Sequence, residues 1–496
     1  MPQGDEPSLY DEDLRKKTRW SILWTIVRIA SDQAFSFIIF VILARLLSPA
    51  EFGTFALAVA FSEISRVIAI GGMTQNIPRA KKMTPALADT VFWTNLAMSM
   101  IVALVILALA PVVMDLIGQP AAAAPLQALG FVLPIAALGA THLSLRLREF
   151  GHKSLALRSV MGGTIGGGAA IAAAFAGWGV WSLVVQRFVT EAVNTVMSWH
   201  AYRWMPSRNV TMEQFRATWS FGFNIAMTQI IGLLPRRAVD LVVGTVLGAA
   251  AVGLNRTARR TNELIMSGTV SPFTTVALQT LSRLQADSTE LIKAYRWMLS
   301  KSAMLTCPAL IGFGVLAPDA VPAIYGAKWA ESGVLVQILA LMVVPYALTS
   351  FTSPLLMALG RAALLRTFTL SQMIAIIAVA IVSAPFGLVV VAWAAVARSY
   401  LALPFQLWML RRAAGIPPKD ALYPIVAPVV ASLIMGAGVW ALMALIRPQF
   451  SIALVPIFIC VAAGMVMYAI ALYAISSEAR AIVRTQLKAL RAWWRA

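Results

Sequence analysis

Long apolar runs separated by short polar connectors cover almost the whole chain. Each run is about as long as the roughly 20 apolar residues that an α-helix needs to cross the hydrocarbon core of a bilayer. The pattern therefore predicts an all-α integral membrane protein with fourteen transmembrane helices. The runs lie at about 20–44, 52–72, 89–116, 123–141, 158–176, 179–199, 217–247, 253–281, 292–316, 332–354, 363–383, 387–411, 421–446 and 452–475.

The composition agrees with a chain that folds in lipid. Apolar residues make up 59% of its 496 residues and charged residues only 12%, whereas a soluble domain carries roughly 25% charged residues. Too little polar surface is present to cover a water-facing globule, which excludes a soluble enzyme, a nucleic-acid-binding domain and a disordered scaffold. Cys307 and Cys460 lie in separate apolar runs and predict neither a disulfide framework nor a metal site.

The basic residues indicate how the chain is oriented. Lysine and arginine number 40 against 21 acids, a formal net charge of +19. If the N-terminus is cytoplasmic, connectors alternate between basic and non-basic, as the positive-inside rule requires, and the outer side holds only Arg45, Lys328 and Arg447. We predict cytoplasmic termini and no nucleic-acid partner. The basic tail 476–496 predicts an amphipathic helix on an anionic leaflet, with a solvated tail as the alternative.

An internal repeat predicts the domain organisation. The first two helices resemble the seventh and eighth at an offset of 200 residues, with identities that include Leu47/Leu247 and Gly53/Gly253. Both pairs begin on the cytoplasmic side, so the repeat is parallel and predicts two six-helix lobes around a cavity. The predicted parts are a cytoplasmic segment 1–19, an N-lobe 20–199, a cytoplasmic linker 200–216, a C-lobe 217–411, two further helices in 421–475 and the tail 476–496.

Ionisable residues occur inside the predicted spans, where each costs roughly 2.5–3.5 kcal/mol on insertion scales and normally faces a cavity or a partner. Five acids lie three or four residues from an arginine, on the same helix face. Self-neutralised pairs that only make insertion tolerable are therefore one interpretation. The pairs are Arg28/Asp32, Glu63/Arg66, Arg187/Glu191, Arg236/Asp240 and Arg259/Glu263.

The total charge favours an anion site over pairing alone. Nine arginines against five acids leave a surplus of four positive charges in the spans, and guanidinium groups bind phosphate oxygens in a bidentate manner. We predict a water-filled cavity between the lobes for a phosphate or diphosphate head group. The predicted diphosphate-binding residues are Arg28, Arg66, Arg236, Arg237, Arg256, Arg259, Arg260 and Arg398, and the predicted charge-pairing or ion-coupling residues are Asp32, Glu63, Asp240 and Glu263.

A glycine-rich run at 162–168 lies inside one of the spans. It lacks the Lys-Ser/Thr pair and the preceding strand of a phosphate-binding loop. Small residues let membrane helices approach closely, so the run predicts tight helix packing. No other nucleotide-binding motif occurs in the sequence, and neither ATP hydrolysis nor a cofactor is predicted.

Four segments resemble the polysaccharide (lipid-linked oligosaccharide) flippases of the multidrug/oligosaccharidyl-lipid/polysaccharide exporter superfamily. They are LARLLSPAEFG at 43–53, VLG at 246–248 followed by VG at 252–253, IYGAKW at 324–329 and ALGR at 358–361. The resemblance implies fourteen helices, the bacterial inner membrane, and movement of undecaprenyl-diphosphate-linked sugar units from the cytoplasmic to the periplasmic leaflet. In the related lipid II flippases, arginines on helices 1, 2 and 8 bind diphosphate. This role falls by resemblance to Arg28, Arg66 and Arg259 or Arg260.

The resemblance leaves coupling to H+ or Na+ open, as well as cooperation with a polysaccharide polymerase and a chain-length regulator. Two other function classes compete with it. A multidrug/cation antiporter needs an acidic cavity, against which the cationic surplus argues. A membrane polysaccharide polymerase or ligase presents its catalytic residues on a sizeable outer loop, and the outer connectors here are short. The leading hypothesis is a flippase without catalytic residues that serves exopolysaccharide, capsule or O-antigen synthesis by alternating access.

Overall fold

The protein is described by a computed structural model that covers residues 33, 35–80, 82–149, 151–450, 454–476 and 480. All regular elements within these residues are helices, which confirms the predicted all-α fold. The chain divides into two compact units, Met1–Gly253 and Leu254–Ala496. The lobe boundaries derived from the internal repeat stay a prediction.

The described residues of the first unit form seven long helices and the start of an eighth. A π-helical turn, Val67–Gly71, prolongs the second helix and leads into two single-turn helices, Met73–Gln75 and Asn76–Arg79. The long helices are α1 (Phe35–Leu46), α2 (Pro49–Arg66), α3 (Pro85–Leu116), α4 (Ala123–Arg148), α5 (His152–Phe175), α6 (Val180–Ala201), α7 (Met212–Leu247) and α8 (Ala249–Arg283), of which α8 continues into the second unit.

Local capping sets the start of α2. The backbone N–H of Glu51 donates to Ser48 Oγ at 3.3 Å, and the Glu51 carboxylate accepts from the backbone N–H of Ser48 at 2.6 Å. This reciprocal capping box, with Pro49 at the first helical position, satisfies amide groups that a helix start leaves exposed. The segment 48–51 therefore begins a helix on its own sequence, before any tertiary contact is considered.

The two glycines of the internal repeat meet in the first unit. A Cβ atom on Gly53 would lie 1.6 Å from the carbonyl oxygen of Ala249, and one on Gly253 would lie 2.0 Å from the carbonyl oxygen of Pro49. Only glycine permits either approach, because any side chain would overlap backbone atoms. The contact is reciprocal, as a two-fold relation between the two repeated turns would produce.

In the second unit, the part of the chain that the structure describes forms α8 beyond Gly253 and eight further α-helices. A break at residues 341–342 bends the pair 327–340 and 343–358 by 63°. The main buried core of the second unit surrounds Tyr295, Phe351 and Leu410. The helices are α9 (Ser288–Tyr325), α10 (Ala330–Ala340), α11 (Val343–Ala358), α12 (Ala362–Ser383), α13 (Leu388–Leu401), α14 (Leu403–Ala414), α15 (Pro418–Ile446) and α16 (Leu454–Ile475).

Each of the fourteen predicted runs overlaps one of these helices, with α10–α11 and α13–α14 each covering a single run. Nine helices among the described residues are long and apolar enough to cross a bilayer, or ten if the bent pair is one span. The chain is thus a multi-pass membrane protein, and the count of fourteen crossings stays a prediction. The charge-bearing helices α6, α7 and α8 are absent from that set. Arg28, Asp32 and the predicted tail helix, Arg480 apart, lie outside the described residues.

Candidate functional site

The ion pairs inside the first unit connect different helices. Arg66 Nη1 on α2 donates to Glu191 Oε1 on α6 at 2.5 Å, and Glu63 accepts instead from Nη2 of Arg237 on α7. The expected pair between Glu63 and Arg66 is therefore wrong. Packed helix axes are only about 8–10 Å apart, so a long arginine side chain reaches a neighbouring helix as easily as the next turn of its own.

Glu191 is the centre of a group of three arginines. The Glu191 side chain is 4% exposed, and its Oε1 lies 3.9 Å from Arg187 Nη2, which confirms the pair expected within α6. Arg158 on α5 donates through Nε to the carbonyl oxygen of Asn194 at 3.0 Å and lies within Coulombic range of Glu191 and Arg66. Three guanidinium groups thus lie near this carboxylate, and the Glu63–Arg237 ion pair lies within Coulombic range of Arg187 as well. We call Arg66, Arg158, Arg187 and Glu191 the Glu191 cluster.

Glycines on α5 make this cluster possible. A Cβ atom on Gly162 would lie 2.5 Å from Asn194 Oδ1, and one on Gly166 would lie 2.1 Å from Thr190 Oγ1. Arg158, Gly162 and Gly166 are spaced by four residues and share one face of the helix. The glycine-rich run is therefore a helix-packing surface, as predicted, and it brings Arg158 next to α6.

Irregular backbone follows Arg66. The π-helical turn Val67–Gly71 begins directly after this residue, and π-helical turns inside α-helices occur frequently at functional sites. Gly72 then approaches α7 so closely that a Cβ atom on it would lie 1.9 Å from the carbonyl oxygen of Gly222. The backbone just beyond the C-terminal end of α2 is thus held against α7, close to the residue that binds Glu191.

Arg237 on α7 is held by two acids. Its Nη1 donates to Asp240 Oδ2 at 3.2 Å and its Nη2 to Glu63, while only 13% of its side chain is exposed. Here one guanidinium group faces two carboxylates, the reverse of the Glu191 cluster. The adjacent Arg236 is exposed on the same helix. The geometry gives Arg237 a charge-pairing position, and its predicted contact with substrate stays a prediction.

The second unit holds the remaining predicted arginines. Arg256, Arg259 and Arg260 on α8 are half-buried and have interaction partners. Next to Arg260, Thr261 Oγ1 lies 3.1 Å from the hydroxyl of Tyr325 on α9. This arrangement places polar side chains around one stretch of α8 within the unit. Glu263, one turn beyond Arg259, is exposed and also has a partner.

Arg398 on α13 is half-buried and donates through Nη1 to Oε1 of Gln372 on α12 at 2.6 Å. No carboxylate lies within ion-pair distance of it among the described residues. A neutral amide therefore satisfies part of this guanidinium group and leaves its charge uncompensated by any described acid. Its predicted phosphate contact stays a prediction.

Sequence reasoning missed two members of the Glu191 cluster. The apolar pattern predicts that the span starts at residue 158, whereas α5 begins at His152, six residues earlier, so Arg158 lies well inside the helix. Arg187 was interpreted as a partner of Glu191 alone. The spacing of Arg158, Gly162 and Gly166 was the available signal, since it puts a charge on the packing face of a helix. No group of three or more metal-ligating side chains occurs among the residues that the structure describes.

The all-helical fold and the charged helices within it define a multi-pass membrane transporter. Two solved structures match it in fold. A lipid II flippase MurJ in an inward closed conformation matches with a TM-score of 0.73 and 15% identity, over 91% of this chain and 98% of that chain. An inward-facing multidrug resistance transporter of the MATE family, in the MOP superfamily, matches with a TM-score of 0.61 and 16% identity, over 79% and 98%.

Within that class the chain belongs to the family described as "Polysaccharide biosynthesis protein", whose model matches residues 42–334. The succinoglycan biosynthesis transport protein ExoT of Rhizobium meliloti is 24% identical over 90% of this chain and 91% of its own length. The lipopolysaccharide biosynthesis protein WzxC of Escherichia coli is 22% identical over 70% and 71%. The predicted family of polysaccharide flippases is confirmed, and the chain is a transporter rather than an enzyme.

Proposed function

We propose that this protein moves an undecaprenyl-diphosphate-linked oligosaccharide across the bacterial inner membrane for exopolysaccharide, capsule or O-antigen synthesis. The head group is held by arginines inside the protein, the lipid tail stays in the bilayer, and the transporter works by alternating access. Membership of the polysaccharide biosynthesis family supports this proposal. So do the name of the succinoglycan transport protein and the fold of the lipid II flippase.

The excess of guanidinium groups around Glu191 is the observation that carries the proposal. Charges inside membrane helices are costly and normally pair with one another or face a water-filled path. Even with the Glu63–Arg237 pair close to Arg187, the arginines of this region outnumber its acids, so positive charge is left for an anion to balance. Arginine suits phosphate in particular, because its planar donors match two phosphate oxygens at once.

The proposed head-group residues are the arginines predicted from the sequence. In the first unit the cluster supports Arg66, and in the second the adjacent Arg259 and Arg260 occupy one turn of α8. Acids near these arginines, such as Glu63 and Asp240, are proposed to balance their charge or to couple transport to H+ or Na+. The remaining proposed diphosphate-binding residues are Arg28, Arg236, Arg237, Arg256 and Arg398, and the remaining proposed acids are Asp32 and Glu263.

Orientation and partners are part of the same proposal. The alternation of basic connectors supports cytoplasmic termini. A reporter that fluoresces only in the cytoplasm, fused after residue 496, should fluoresce, and a periplasm-specific phosphatase fused there should be inactive. The opposite pattern would refute the proposed orientation. A polysaccharide polymerase and a chain-length regulator are the partners that a supply of flipped oligosaccharide would serve.

Export of a sugar polymer tests the function. Cells that lack their own copy of this gene are supplied with the wild type or with the double variant R259A/R260A. We expect the double variant to insert normally and to lose polymer export, because two neighbouring guanidinium groups are removed. The matched control is R411A/R412A, a second pair of adjacent arginines, which is exposed at the end of α14. Unimpaired export by R259A/R260A would contradict the site assignment.

The fold match to a MATE transporter supports a second candidate, a multidrug/cation antiporter. A cationic drug would be repelled by the arginines of the Glu191 cluster, whereas a phosphorylated lipid is attracted. Expression in a drug-sensitive host should therefore leave the tolerance to cationic dyes unchanged. A dye tolerance that depends on Glu63 or Asp240 would favour the antiporter.

A further inference from the structure

Glu191 engages its arginines in an incomplete way. Its Oε1 alone faces both Arg66, at 2.5 Å, and Arg187, at 3.9 Å. Its Oε2 is buried and has no hydrogen-bond partner among the described residues. Pairs of arginine and carboxylate are frequently bidentate, with two parallel N–H···O hydrogen bonds. Glu191 thus accepts hydrogen bonds through only one of its two oxygens.

The arginines of the cluster likewise use only some of their hydrogen-bond donors. A guanidinium group offers five N–H donors. Arg66 uses Nη1 on Glu191, and Arg158 uses Nε on a carbonyl oxygen of α6. The distance between Arg187 and Glu191 exceeds hydrogen-bond length. About a third of the Arg66 and Arg187 side-chain surface, 35% in each case, is exposed, while Glu191 is buried. The cluster therefore presents free donors to a ligand without exposing its own anion.

A phosphate or diphosphate group fits these donors better than the carboxylate does. It carries more negative charge and more acceptor oxygens, and it can bridge two guanidinium groups at once. A single carboxylate held on one oxygen is thus the weaker of two anions that can occupy the same arginines.

From this geometry we propose that the Glu191 cluster is a phosphate-binding site in which Glu191 acts as a built-in counter-anion. Glu191 occupies Arg66 and Arg187 when no substrate is present, the phosphate of the substrate displaces it, and Glu191 takes the arginines back when the substrate leaves. This inference rests on the proposed function and adds Arg158, Arg187 and Glu191 to its site. Release of a tightly held diphosphate is then assisted by a charge inside the protein.

Binding to an isosteric variant tests the exchange. The full chain is purified in detergent, and its apparent Kd for undecaprenyl diphosphate is measured by native mass spectrometry for the wild type and E191Q. Because the competing charge is gone, we expect E191Q to bind about 10-fold more tightly, within the usual range of coupling between two sites. The same variant should export polymer more slowly, because release is no longer assisted. Equal or weaker binding by E191Q would overturn the proposal.

Two controls separate exchange from a structural role. E149Q removes the acid of an exposed pair, Arg146 and Glu149 at 3.1 Å, and should leave binding and export unchanged. If E191Q alone does not fold, E191Q/R187Q is compared with R187Q, since the double variant has the net charge of the wild type. The double variant should still bind more tightly than R187Q. No difference between them would refute the counter-anion role.

The choice of ligand separates this inference from the proposed function. Inorganic pyrophosphate and phosphatidylglycerol are titrated beside undecaprenyl diphosphate. Competition by pyrophosphate that is strengthened in E191Q supports a site that recognises the diphosphate itself. Tighter binding of phosphatidylglycerol alone would overturn it in favour of a general anionic-lipid site. If the wild type binds undecaprenyl diphosphate but E191Q does not change that binding, only the counter-anion role of Glu191 is refuted. If no form of the protein binds it, the proposed function fails.

Discussion

Two sites in this protein hold partly buried arginines in different ways. In the Glu191 cluster, arginines from three helices share one buried carboxylate, and the charges are partly balanced. At Arg398, a single guanidinium group is bound by the neutral amide of Gln372 on the neighbouring helix. The first site contains opposite charges that stabilise each other, whereas the second contains one charge that is bound by the dipole of a neutral amide.

The difference determines what each site loses when it is altered. Removing one member of a buried ion pair leaves the other charge without compensation, which costs far more than the pair contributes. Removing an arginine that is bound by a neutral amide leaves only that amide without its hydrogen-bond donor. The Glu191 cluster is thus the less tolerant site, and its charge balance is also what an incoming anion would change.

The largest effect is expected from Arg66→Ala. Glu191 would lose its 2.5 Å partner while staying buried. We expect the free energy of unfolding to fall by about 3 kcal/mol, the lower end of values for broken buried pairs, because Arg187 and Arg158 stay nearby. A denaturing-detergent titration of the purified protein measures it. A loss below about 1 kcal/mol, as for an exposed pair, would show that Glu191 is not electrostatically dependent on Arg66.

A slightly smaller effect is expected from Gly166→Val, which attacks the packing that assembles the cluster. Its Cβ would lie 2.1 Å from Thr190 Oγ1, so α5 and α6 must separate, at a cost of about 2–3 kcal/mol. Polymer export should fall as Arg158 moves away from α6. Gly168→Val is the matched control, since a Cβ at Gly168 meets nothing within 4 Å. Equal loss of stability in both variants would mean that helix propensity, not contact, is responsible.

A smaller effect is expected from Arg398→Ala, which alters the second of the two sites. Gln372 would lose a charged donor at 2.6 Å, and we expect about 1–2 kcal/mol of destabilisation in the same titration. The expected loss is smaller than for Arg66→Ala because no carboxylate is stranded. If Arg398→Ala were the more damaging of the two, the distinction between the two sites would be wrong.

The smallest effect is expected from Glu149→Gln. Arg146 and Glu149 are 3.1 Å apart, but their side chains are 37% and 50% exposed. Water screens such pairs, so a change of less than about 1 kcal/mol is expected. A loss as large as that of Arg66→Ala would show that burial does not set the scale of these effects.

The hydrophobic pattern predicted the helices well and their ends less well. Each of the fourteen apolar runs overlaps a helix among the described residues, because a run of apolar residues in lipid must satisfy its backbone hydrogen bonds internally. The start of α5 was placed at residue 158, but the helix begins at His152, since polar residues can extend a helix beyond the apolar segment. The 63° bend between Ala327–Ala340 and Val343–Ala358 also has no clear trace in the apolar pattern.

The sequence predicted which kinds of residue form the candidate site, but not which of them contact one another. The surplus of arginines was visible in the sequence, and so was the pair of Arg187 with Glu191. Spacing rules, however, compare only residues on one helix. They paired Glu63 with Arg66, while the structure connects these residues to Arg237 and Glu191, 174 and 125 residues away along the chain.

The sequence by itself determined that this chain folds in a membrane as a set of helices and carries more positive than negative charge inside it. These properties follow from the local order of apolar, glycine and charged residues. Only the tertiary structure decided which charges meet, because partner choice depends on how closely helices approach and at what height. The contacts of Gly162 and Gly166 with α6 set that approach, and through it they bring Arg158 to the helix that carries Glu191.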